Sequence, residues 1–506
     1  MTTSRADRRW PLGFAAFAML VTTVPYLLAF ASAGDGWVFS GFLFGVDDGN
    51  SYIAKMLSGA GGAWLFRTPY TTFPQTGILA FLPYLLLGKL TAPPEQHLQL
   101  VVLFHLFRVL AGAASIVATY DFIAWFIERE PLRRWATALA SLGGGLGWLL
   151  VLSGQGGWLG SLPLDFYSPE TFGFLALYGL PHLAAGRALL LWGLLALLDG
   201  RDLRAGLLWL AGGLFNPLVI PIGLTVAGSH LALTLVRRGD SRTLLRTAVL
   251  AGLVTLPLLA YLVIEPLRNP FWREWTAQNK IASPHPLHYL VAFGFLLPWA
   301  VRGARKFLGG RDPAGWLPVA WVILLPFLAY APLPLQRRLP EGLFVALVIL
   351  AIKSLDSKKI HILTFSPFLL LFPSTLMLLA GGWMAASRPA PPIFLPAAEI
   401  EAFAYLNEIA EPGAVVLSPK DIGNALPAFV PLTVVVGHGP ETVHFAETHQ
   451  RVQDYFSGSL PPEAGAALLD DFGVRYVVGA GELPAGTASL IPIYQKDGYW
   501  IFEIRP

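Results

Sequence analysis

Two adjacent carboxylates early in the chain are the first residues whose type and spacing indicate chemistry. Asp47 and Asp48 stand in the segment VDDGNSY (46–52), a short distance after a long apolar run. A carboxylate can take a proton from a hydroxyl group as a general base, or hold a divalent cation near a phosphate. Because Asp-Asp-Gly-Asn is also ordinary turn chemistry, a solvated turn stays open as the alternative.

A pair of arginines, Arg337 and Arg338, follows a late apolar run and precedes Glu341. The order of apolar runs places this pair outside the membrane, although basic loops generally stay inside. A guanidinium group matches phosphate oxygens with two parallel hydrogen bonds, so a bound phosphate would explain the exception. The alternatives are arginines that extend to lipid head groups, or an ion pair with Glu341.

A third polar group lies between residues 165 and 187. Asp165 and Glu170 stand in a loop, and His182 and Arg187 follow inside an apolar stretch next to Pro181, which we expect to interrupt its helix. Ionisable groups in apolar segments usually face a cavity or one another. They could supply a second acid or help to hold a cation. A structural arginine that pairs with a neighbouring carboxylate is the alternative.

The elements that position these residues are mostly membrane helices. Of the 506 residues 55% are hydrophobic and only 13% are charged, whereas a soluble domain has about 25% charged residues. This composition excludes one large soluble body. The formal net charge of +3 gives no case for nucleic-acid binding, and without cysteine there is no disulfide or thiolate metal site. The sequence predicts a polytopic membrane protein whose partners include membrane lipids and no nucleic acid.

Apolar runs and basic loops predict about eleven spans in a plasma or inner cell membrane, with a cytoplasmic N-terminus and an external C-terminus. The first run, Pro11 to about Ala33, is too long for a signal peptide and predicts an uncleaved anchor. Residues 77–90 are short for a span and predict a re-entrant or interfacial element. Residues 205–236 are predicted to cross twice, with a break at Asn216 and Pro217. The other spans are predicted near residues 98–127, 135–153, 171–198, 244–265, 286–301, 315–332, 342–354 and 360–386.

The composition changes after Ser387. A Pro-rich linker, residues 387–396, leads into residues 397–506, which have ordinary polarity and predict an extracytoplasmic α/β domain. Helices are predicted at 397–411, 442–457 and 462–472, and strands at 414–418, 433–437, 475–479 and 499–504. The segment GHGPET (437–442) ends a strand and precedes a helix, as a ligand-binding turn would, although a histidine in such a turn is more often structural.

The chain resembles the C-superfamily (GT-C) of polytopic membrane glycosyltransferases, in particular the protein-mannosyltransferase and aminoarabinose-transferase-like branch. The shared features are a cytoplasmic N-terminus, a long first external loop (about 34–96) and an Asp-Glu-x-x-Tyr type motif early in that loop. Asp48 and Tyr52 match the motif in spacing, whereas Gly49 stands where the Glu would be. The resemblance implies an all-α membrane bundle over residues 1–386, followed by the linker and the external α/β domain.

The resemblance also implies a reaction: transfer of a sugar from a polyprenyl-phosphate donor to a glycan, lipid or protein acceptor, with inversion. Asp48 would act as the general base, with Asp47 beside it. No cofactor is implied with certainty; a divalent cation shared by carboxylates stays open, because several branches of the family work without metal. We find no nucleotide-binding motif such as GxGxxG or a P-loop, which favours a lipid-linked donor. The other expected site residues are the phosphate ligands Arg337, Arg338 and Arg67 and the substrate-side residues Tyr52, Asp165, Glu170, His182 and Arg187.

Two functions of other classes stay open. A transporter or lipid-carrier flippase would use the intramembrane histidine and arginine as part of a translocation path. It explains less well an external arginine pair and a large external domain. A non-catalytic assembly protein of envelope polysaccharide synthesis would require none of the carboxylates.

Overall fold

The computed structural model describes residues 8–356, 366–482 and 490–504, and this part of the chain is mainly helical. Long apolar stretches form helices because only a helix satisfies every backbone polar group within one segment in lipid. The α-helices are α1 Arg9–Ser32, α2 Val46–Ala60, α3 Leu82–Gly88, α4 Gln96–Phe126, α5 Glu130–Leu142, α6 Gly147–Leu152, α7 Gly173–Gly179, α8 Pro181–Leu198, α9 Asp202–Phe215, α10 Val219–Val236, α11 Arg242–Arg268, α12 Pro270–Gln278, α13 Pro286–Phe293, α14 Leu297–Gly309, α15 Leu317–Ile323, α16 Leu325–Ala329, α17 Leu343–Lys353, α18 Pro373–Ala386, α19 Ala397–Ile409, α20 Lys420–Ala425, α21 Phe445–Phe456 and α22 Pro462–Asp471. Short 3₁₀ helices lie at Trp158–Gly160, Leu164–Phe166, Pro313–Trp316, Gln336–Arg338, Ser366–Leu371 and Leu426–Ala428.

The strands form two sheets. β1 (Trp37–Phe39) and β2 (Phe394–Pro396) pair antiparallel. The larger sheet contains β3 (Val415–Leu417), β4 (Thr433–Val434), β5 (Tyr476–Ala480), β6 (Ile491–Lys496) and β7 (Tyr499–Glu503), in the order β4-β3-β5-β7-β6. β3 is parallel to β4 and β5, and β7 is antiparallel to β5 and β6. The segments that follow β3 and β4 therefore leave the sheet at the same edge.

The chain divides into two compact units. Unit 1 comprises Met1–Val24, Leu106–Val263 and Lys280–Gly381, and its interior is an apolar helical core. Large side chains such as Trp209 and Trp321 are completely buried there, as is most of α17.

Unit 2 comprises Pro25–His105, Ile264–Asn279 and Gly382–Pro506, and it contains both sheets. Within it, Ala54 of α2 and Tyr70 belong to the same buried apolar cluster as Val416, Val434 and Ile501 of the larger sheet. The first predicted loop and the C-terminal segment thus share one core. These compact units do not test the predicted division into a transferase-like part (1–386), a linker (387–396) and an external α/β domain (397–506), which stays a prediction.

Six helices among the described residues are long and apolar enough to cross a membrane: Arg9–Ser32, Gln96–Phe126, Pro181–Leu198, Val219–Val236, Arg242–Arg268 and Ser366–Ala386. A seventh is added if α13 and α14, which meet at 75°, form one broken span. These helices make the chain a membrane protein with a small C-terminal sheet. The count of about eleven spans and the sides of the termini stay predictions.

Several predicted elements differ from those observed. The runs 135–153 and 171–198 are not continuous helices: α5 ends before a glycine triplet at 143–145, and α7 ends at Gly179. As expected, the run 171–198 is interrupted at Pro181: α7 ends at Gly179, and Pro181 begins α8, where its missing N–H costs nothing. The run 315–332 contains α15 and α16, both too short to span. Residues 360–365 of the last predicted span, and the basic residues Arg5, Lys358 and Lys359, lie outside the described residues.

Other predictions of local structure are confirmed. Residues 77–90 contain only the short helix α3, and the break at Asn216 separates α9 from α10 within 205–236. The re-entrant placement of 77–90 and the double crossing of 205–236 stay predictions. Helices and strands occur near the predicted places in 397–504, although β4 is only two residues long. β6 was not predicted, because the polar residues Gln495 and Lys496 weaken its apolar pattern.

Candidate active site

The carboxylate pair lies in the first turn of α2 and not in an isolated turn, and both side chains are about half exposed to solvent. Gly45 precedes the helix in the left-handed conformation (φ 58°), which glycine adopts without steric cost. Asp47 and Asp48 then occupy the first turn, where a negative charge is stabilised by the helix dipole. The fold thus fixes both carboxylates at the start of a rigid element.

Asp48 is held by a histidine from the C-terminal segment. The Asp48 side chain is 55% exposed, whereas that of His438 is 5% exposed. His438 Nε2 lies 3.0 Å from Asp48 Oδ1, and because an ionised carboxylate only accepts, the ring nitrogen donates. An accessible carboxylate is therefore oriented by a buried ring.

Asp47 is paired differently. Lys420 Nζ, from the segment that follows β3, lies 2.5 Å from Asp47 Oδ2. The Asp47 side chain is 46% exposed and that of Lys420 is 26% exposed. Burial lowers the pKa of Lys420, but its hydrogen bond to Asp47 and the negative charge there raise it above its ordinary value on balance. Asp47 is thus engaged by a full positive charge, whereas Asp48 faces an imidazole.

Behind His438 lies a buried carboxylate with four polar neighbours. Glu441 Oε1 accepts hydrogen bonds from Ser51 Oγ (2.5 Å) and from Lys55 Nζ (2.6 Å), and Oε2 accepts one from Thr68 Oγ1 (2.6 Å). His438 Nδ1 lies 3.5 Å from Oε1. Burial raises the pKa of Glu441, but Lys55, His438 and the hydrogen bonds more than offset it, so that its pKa falls below its usual value.

The backbone around His438 is closely packed. A Cβ on Gly437 would lie 2.3 Å from the carbonyl oxygen of Gly423, and a Cβ on Gly423 would lie 2.1 Å from that of Val436. Only glycine permits this approach of α20 to the end of the β4 segment. Asn424, the next residue, accepts a hydrogen bond from Asn50 Nδ2 (2.8 Å). These contacts bring the start of α2 to the edge where β3 and β4 end.

The remaining predicted residues of unit 2 differ in exposure. Tyr52 is half-buried, and its ring stacks on that of Tyr84 with centroids 4.8 Å apart. Arg67 is exposed. Lys55 is buried against Glu441.

In unit 1, Arg187 forms a buried ion pair. Its Nε lies 2.6 Å from Glu341 Oε1, and its guanidinium also donates to the carbonyl oxygens of Pro169 (2.6 Å) and Glu170 (3.2 Å). With three acceptors satisfied inside the protein, this geometry favours the structural alternative for Arg187.

The arginine pair has partners on the same loop that holds Glu170. Arg338 Nε lies 3.3 Å from Glu170 Oε1, and the Arg338 side chain is still 45% exposed. Arg337 lies over the ring of Tyr167 at 4.4 Å and donates to its carbonyl oxygen (3.2 Å). Glu341 is not their partner, because it binds Arg187. Both guanidinium groups are held in place by one loop.

The other two residues of this group have separate surroundings. Asp165 Oδ2 accepts hydrogen bonds from Ser374 Oγ (2.5 Å) and the Gly147 amide (3.1 Å). Burial raises the pKa of Asp165, although these hydrogen bonds oppose the rise. His182 is half-buried in the first turn of α8.

Four carboxylates were predicted as possible ligands of a shared cation. Asp47 and Asp48 belong to unit 2, and Asp165 and Glu170 belong to unit 1. In the parts of the chain that the structure describes, no three or more His, Cys, Asp or Glu side chains are grouped so that they could hold a metal ion. Each of the four carboxylates has a protein partner.

A cavity of about 340 Å³ lies beside Lys420 in unit 2. Its lining combines polar groups with an aromatic ring and an aliphatic side chain: Lys420, Asp421, His449, Gln453, Phe456 and Val452. Such a mixture suits a ligand that has both hydroxyl groups and apolar faces.

His438 and Glu441 belong to the turn GHGPET (437–442), for which a ligand-binding turn and a structural histidine were the two interpretations. No sequence pattern could predict that this turn lies beside Asp48, because about 390 residues separate the partners.

The sequence matches no protein-family model and no curated protein. Solved structures do match. The oligosaccharyltransferase AglB from Archaeoglobus fulgidus, in complex with an inhibitory peptide and a dolichol-phosphate, has a TM-score of 0.56 at 12% identity, over 94% of this chain and 70% of that one. The arabinofuranosyltransferase AftD from Mycobacteria has a TM-score of 0.55 at 15% identity, over 97% of this chain but only 40% of that one.

ArnT from Cupriavidus metallidurans, in the apo state, has a TM-score of 0.50 at 15% identity, over 97% of this chain and 98% of that one. These neighbours are GT-C glycosyltransferases. At such low identity the likeness establishes the fold alone. The resemblance that the sequence indicated is thereby confirmed at the level of architecture: this chain has the GT-C fold.

Proposed function

We propose that this protein is a membrane glycosyltransferase that moves a sugar from a polyprenyl-phosphate donor to a hydroxyl-bearing acceptor at the outer face of the membrane. The observation that carries the proposal is Asp48, an accessible carboxylate at the start of α2 that a buried imidazole orients, in a chain with the GT-C fold. A general base needs this combination of access and fixed geometry. The topology of about eleven spans with an external C-terminus belongs to the same proposal.

In the proposed reaction, Asp48 takes the proton of the acceptor hydroxyl. The acceptor oxygen forms a bond to the anomeric carbon of the sugar while the bond from that carbon to the phosphate oxygen breaks. The electron pair leaves with the phosphate, and the configuration at carbon is inverted. The reaction as proposed requires no metal step.

The leaving phosphate needs positive charge or hydrogen-bond donors, which lower the barrier by stabilising the developing charge. Arg337 and Arg338 remain our candidates, since both are only partly buried and Arg338 is 45% exposed. Arg67 is a third, exposed candidate. AglB, whose fold is similar, was solved with a dolichol-phosphate, which agrees with a lipid-linked donor.

For the acceptor we propose the cavity beside Lys420. Its polar side chains can bind hydroxyl groups, and the ring of Phe456 can pack against an apolar sugar face. Residues 397–506 would then contribute to acceptor binding, while residues 1–386 contain the transferase-like part. Tyr52, Asp165, Glu170 and His182 are proposed to support the substrate-side surface, and Arg187 to stabilise it.

The test is sugar transfer by the purified protein in liposomes, from a panel of radiolabelled polyprenyl-phosphate hexoses and pentoses. Wild type and Asp48→Asn are compared at equal folded amounts, with and without a chelator. We expect wild type to release label from the lipid and Asp48→Asn to be slower by about 10²–10⁴-fold. Equal release by both proteins contradicts the base assignment. No release from any donor, with intact lipid crossing the bilayer, would favour a flippase.

A further inference from the structure

The strongest feature outside the assigned residues is the chain of polar groups behind Asp48. It runs from the accessible carboxylate of Asp48 through the buried ring of His438 to the buried carboxylate of Glu441. All three belong to unit 2. Two of them come from a six-residue turn after β4, so the C-terminal segment contributes directly to the surroundings of Asp48.

The turn that contains His438 is fixed on a second side by α12. Gln278 Nε2 donates to the carbonyl oxygen of Thr442 (2.8 Å), and Asn279 Nδ2 donates to that of Pro440 (2.7 Å). Thr442 Oγ1 in turn donates to the carbonyl oxygen of Tyr70 (2.8 Å). The backbone on which His438 stands is therefore held by neighbours on both sides.

Glu441 is fixed as firmly as the turn. Its two oxygens accept hydrogen bonds from Ser51, Lys55 and Thr68, and Lys55 also donates to Ser51 Oγ. Such a network keeps the carboxylate in one orientation, with Oε1 toward the ring of His438. A ring between two carboxylates has little freedom to turn.

We propose that His438 is a positioning residue for Asp48, and that Glu441 with Lys55 holds the imidazole in place. His438 donates to Oδ1 of Asp48 and thereby fixes the orientation of the carboxylate that is proposed to take the proton of the acceptor hydroxyl. This inference rests on the proposed function, in which Asp48 is the base. A base that a third group orients is a recurring arrangement in enzymes that activate a hydroxyl. The proton moves from the acceptor oxygen to Asp48 and leaves with product release; His438 keeps its own.

A structural role is the competing explanation. In that case His438 would only attach the start of α2 to the β4 edge, and its loss would lower stability without changing the chemistry of the folded protein. If His438 positions Asp48, its loss lowers kcat, a side chain that can still donate to Asp48 restores activity, and the losses of the His438 and Asp48 variants do not add. A structural role predicts none of these three results.

The experiment measures label release from the donors that wild type uses, together with thermal unfolding. The variants are His438→Leu, which removes the donor, and His438→Gln, whose amide N–H can still donate to Asp48. Glu441→Gln keeps the shape and removes the charge. His444→Asn is the matched control, because His444 is 56% exposed and its left-handed backbone suits asparagine.

We expect His438→Leu to lower kcat by about 10- to 100-fold, as for the partners that orient metal-binding histidines, with the donor KM within about threefold. His438→Gln should recover most of the activity, and His444→Asn should match wild type. Adding His438→Leu to Asp48→Asn should slow transfer by less than about threefold further, because residues that act as a unit are not additive.

Two results would overturn the positioning role while leaving the proposed function intact. One is full activity per folded molecule in His438→Leu. The other is a double variant whose loss equals the product of the two single losses. If wild type transfers no sugar from any donor, the proposed function fails, and the positioning role falls with it.

Discussion

Lys55 Nζ lies 2.6 Å from Glu441 Oε1, and the two side chains are 1% and 4% exposed. The lysine belongs to α2 and the glutamate to the turn after β4, 386 residues later. Taking two such charges out of water is costly, and their attraction repays the cost only when further hydrogen bonds satisfy them. Ser51 and Thr68 supply those bonds. The pair therefore stabilises unit 2 only as long as both partners are present.

The first prediction follows from this burial. Lys55→Met should destabilise the protein by about 3–5 kcal/mol, because Glu441 then remains buried without its cation. Lys55→Met combined with Glu441→Leu should recover part of the loss. The measurement is thermal unfolding in detergent, followed by tryptophan fluorescence.

The exposed pair of Lys496 and Glu401 provides the control for this prediction. Its side chains are 56% and 53% exposed, so Lys496→Met should leave the Tm almost unchanged. Similar losses for Lys55→Met and Lys496→Met would contradict the importance of burial.

The second prediction concerns acid stability. Burial opposes ionisation of Glu441, but its partners lower its pKa below the usual 4.5. A group whose pKa is lowered by folding stabilises the protein above its unfolded pKa and loses that contribution as the pH falls through its folded pKa. Between pH 6 and pH 3, the Tm of wild type should therefore fall more steeply than that of Glu441→Gln. Glu447→Gln, at an exposed position of α21, should follow wild type; parallel curves for all three proteins would contradict the assignment.

The third prediction separates the two adjacent carboxylates. Asp47 is paired with Lys420 and 46% exposed, so Asp47→Asn should change label release by less than about tenfold. Asp48→Asn should lose about 10²–10⁴-fold. The comparison is made with the same donor and at equal folded amounts. A larger loss of label release in Asp47→Asn than in Asp48→Asn would assign the general base to Asp47.

The fourth prediction tests the arginines of unit 1 separately. Arg338→Gln and Arg337→Gln should slow transfer or raise the donor KM, because a charged hydrogen bond to phosphate is lost, worth about 1.5–3 kcal/mol or roughly 10- to 150-fold. Arg187→Met should instead lower Tm, because it leaves Glu341 buried and unpaired. Assays at several donor concentrations, together with unfolding curves, distinguish the two effects. A variant of Arg337 or Arg338 with normal kinetics and a lowered Tm would assign that arginine to structure alone.

The fifth prediction concerns the cavity beside Lys420. Phe456→Ala and Gln453→Ala remove an apolar surface and a polar group from its lining. Both should raise the KM for the acceptor several-fold, because a lost contact costs roughly 1 kcal/mol of binding free energy. The donor KM should stay the same. Unchanged acceptor kinetics in both variants would place the acceptor elsewhere.

Sequence alone determined the class of protein and much of its local structure. Low charge and long apolar runs are properties of a single segment, so they indicate membrane helices without any knowledge of the tertiary contacts. The spacing of Asp48 and Tyr52, four residues apart, led to the GT-C resemblance that the fold confirms. Short apolar runs separated by polar turns indicated most strands of the C-terminal sheet.

Only the tertiary structure decided which polar groups meet. Asp48 binds His438, Lys55 binds Glu441, and Arg187 binds Glu341, although each pair is separated by more than a hundred residues. Hydropathy does not predict such pairs, since it measures how polar a residue is and not which residue it contacts. The break after α5 at the glycine triplet 143–145 was likewise not predicted, because glycine is also common inside membrane helices. A buried charge is tolerated only beside its partner, and folding alone brings the two together.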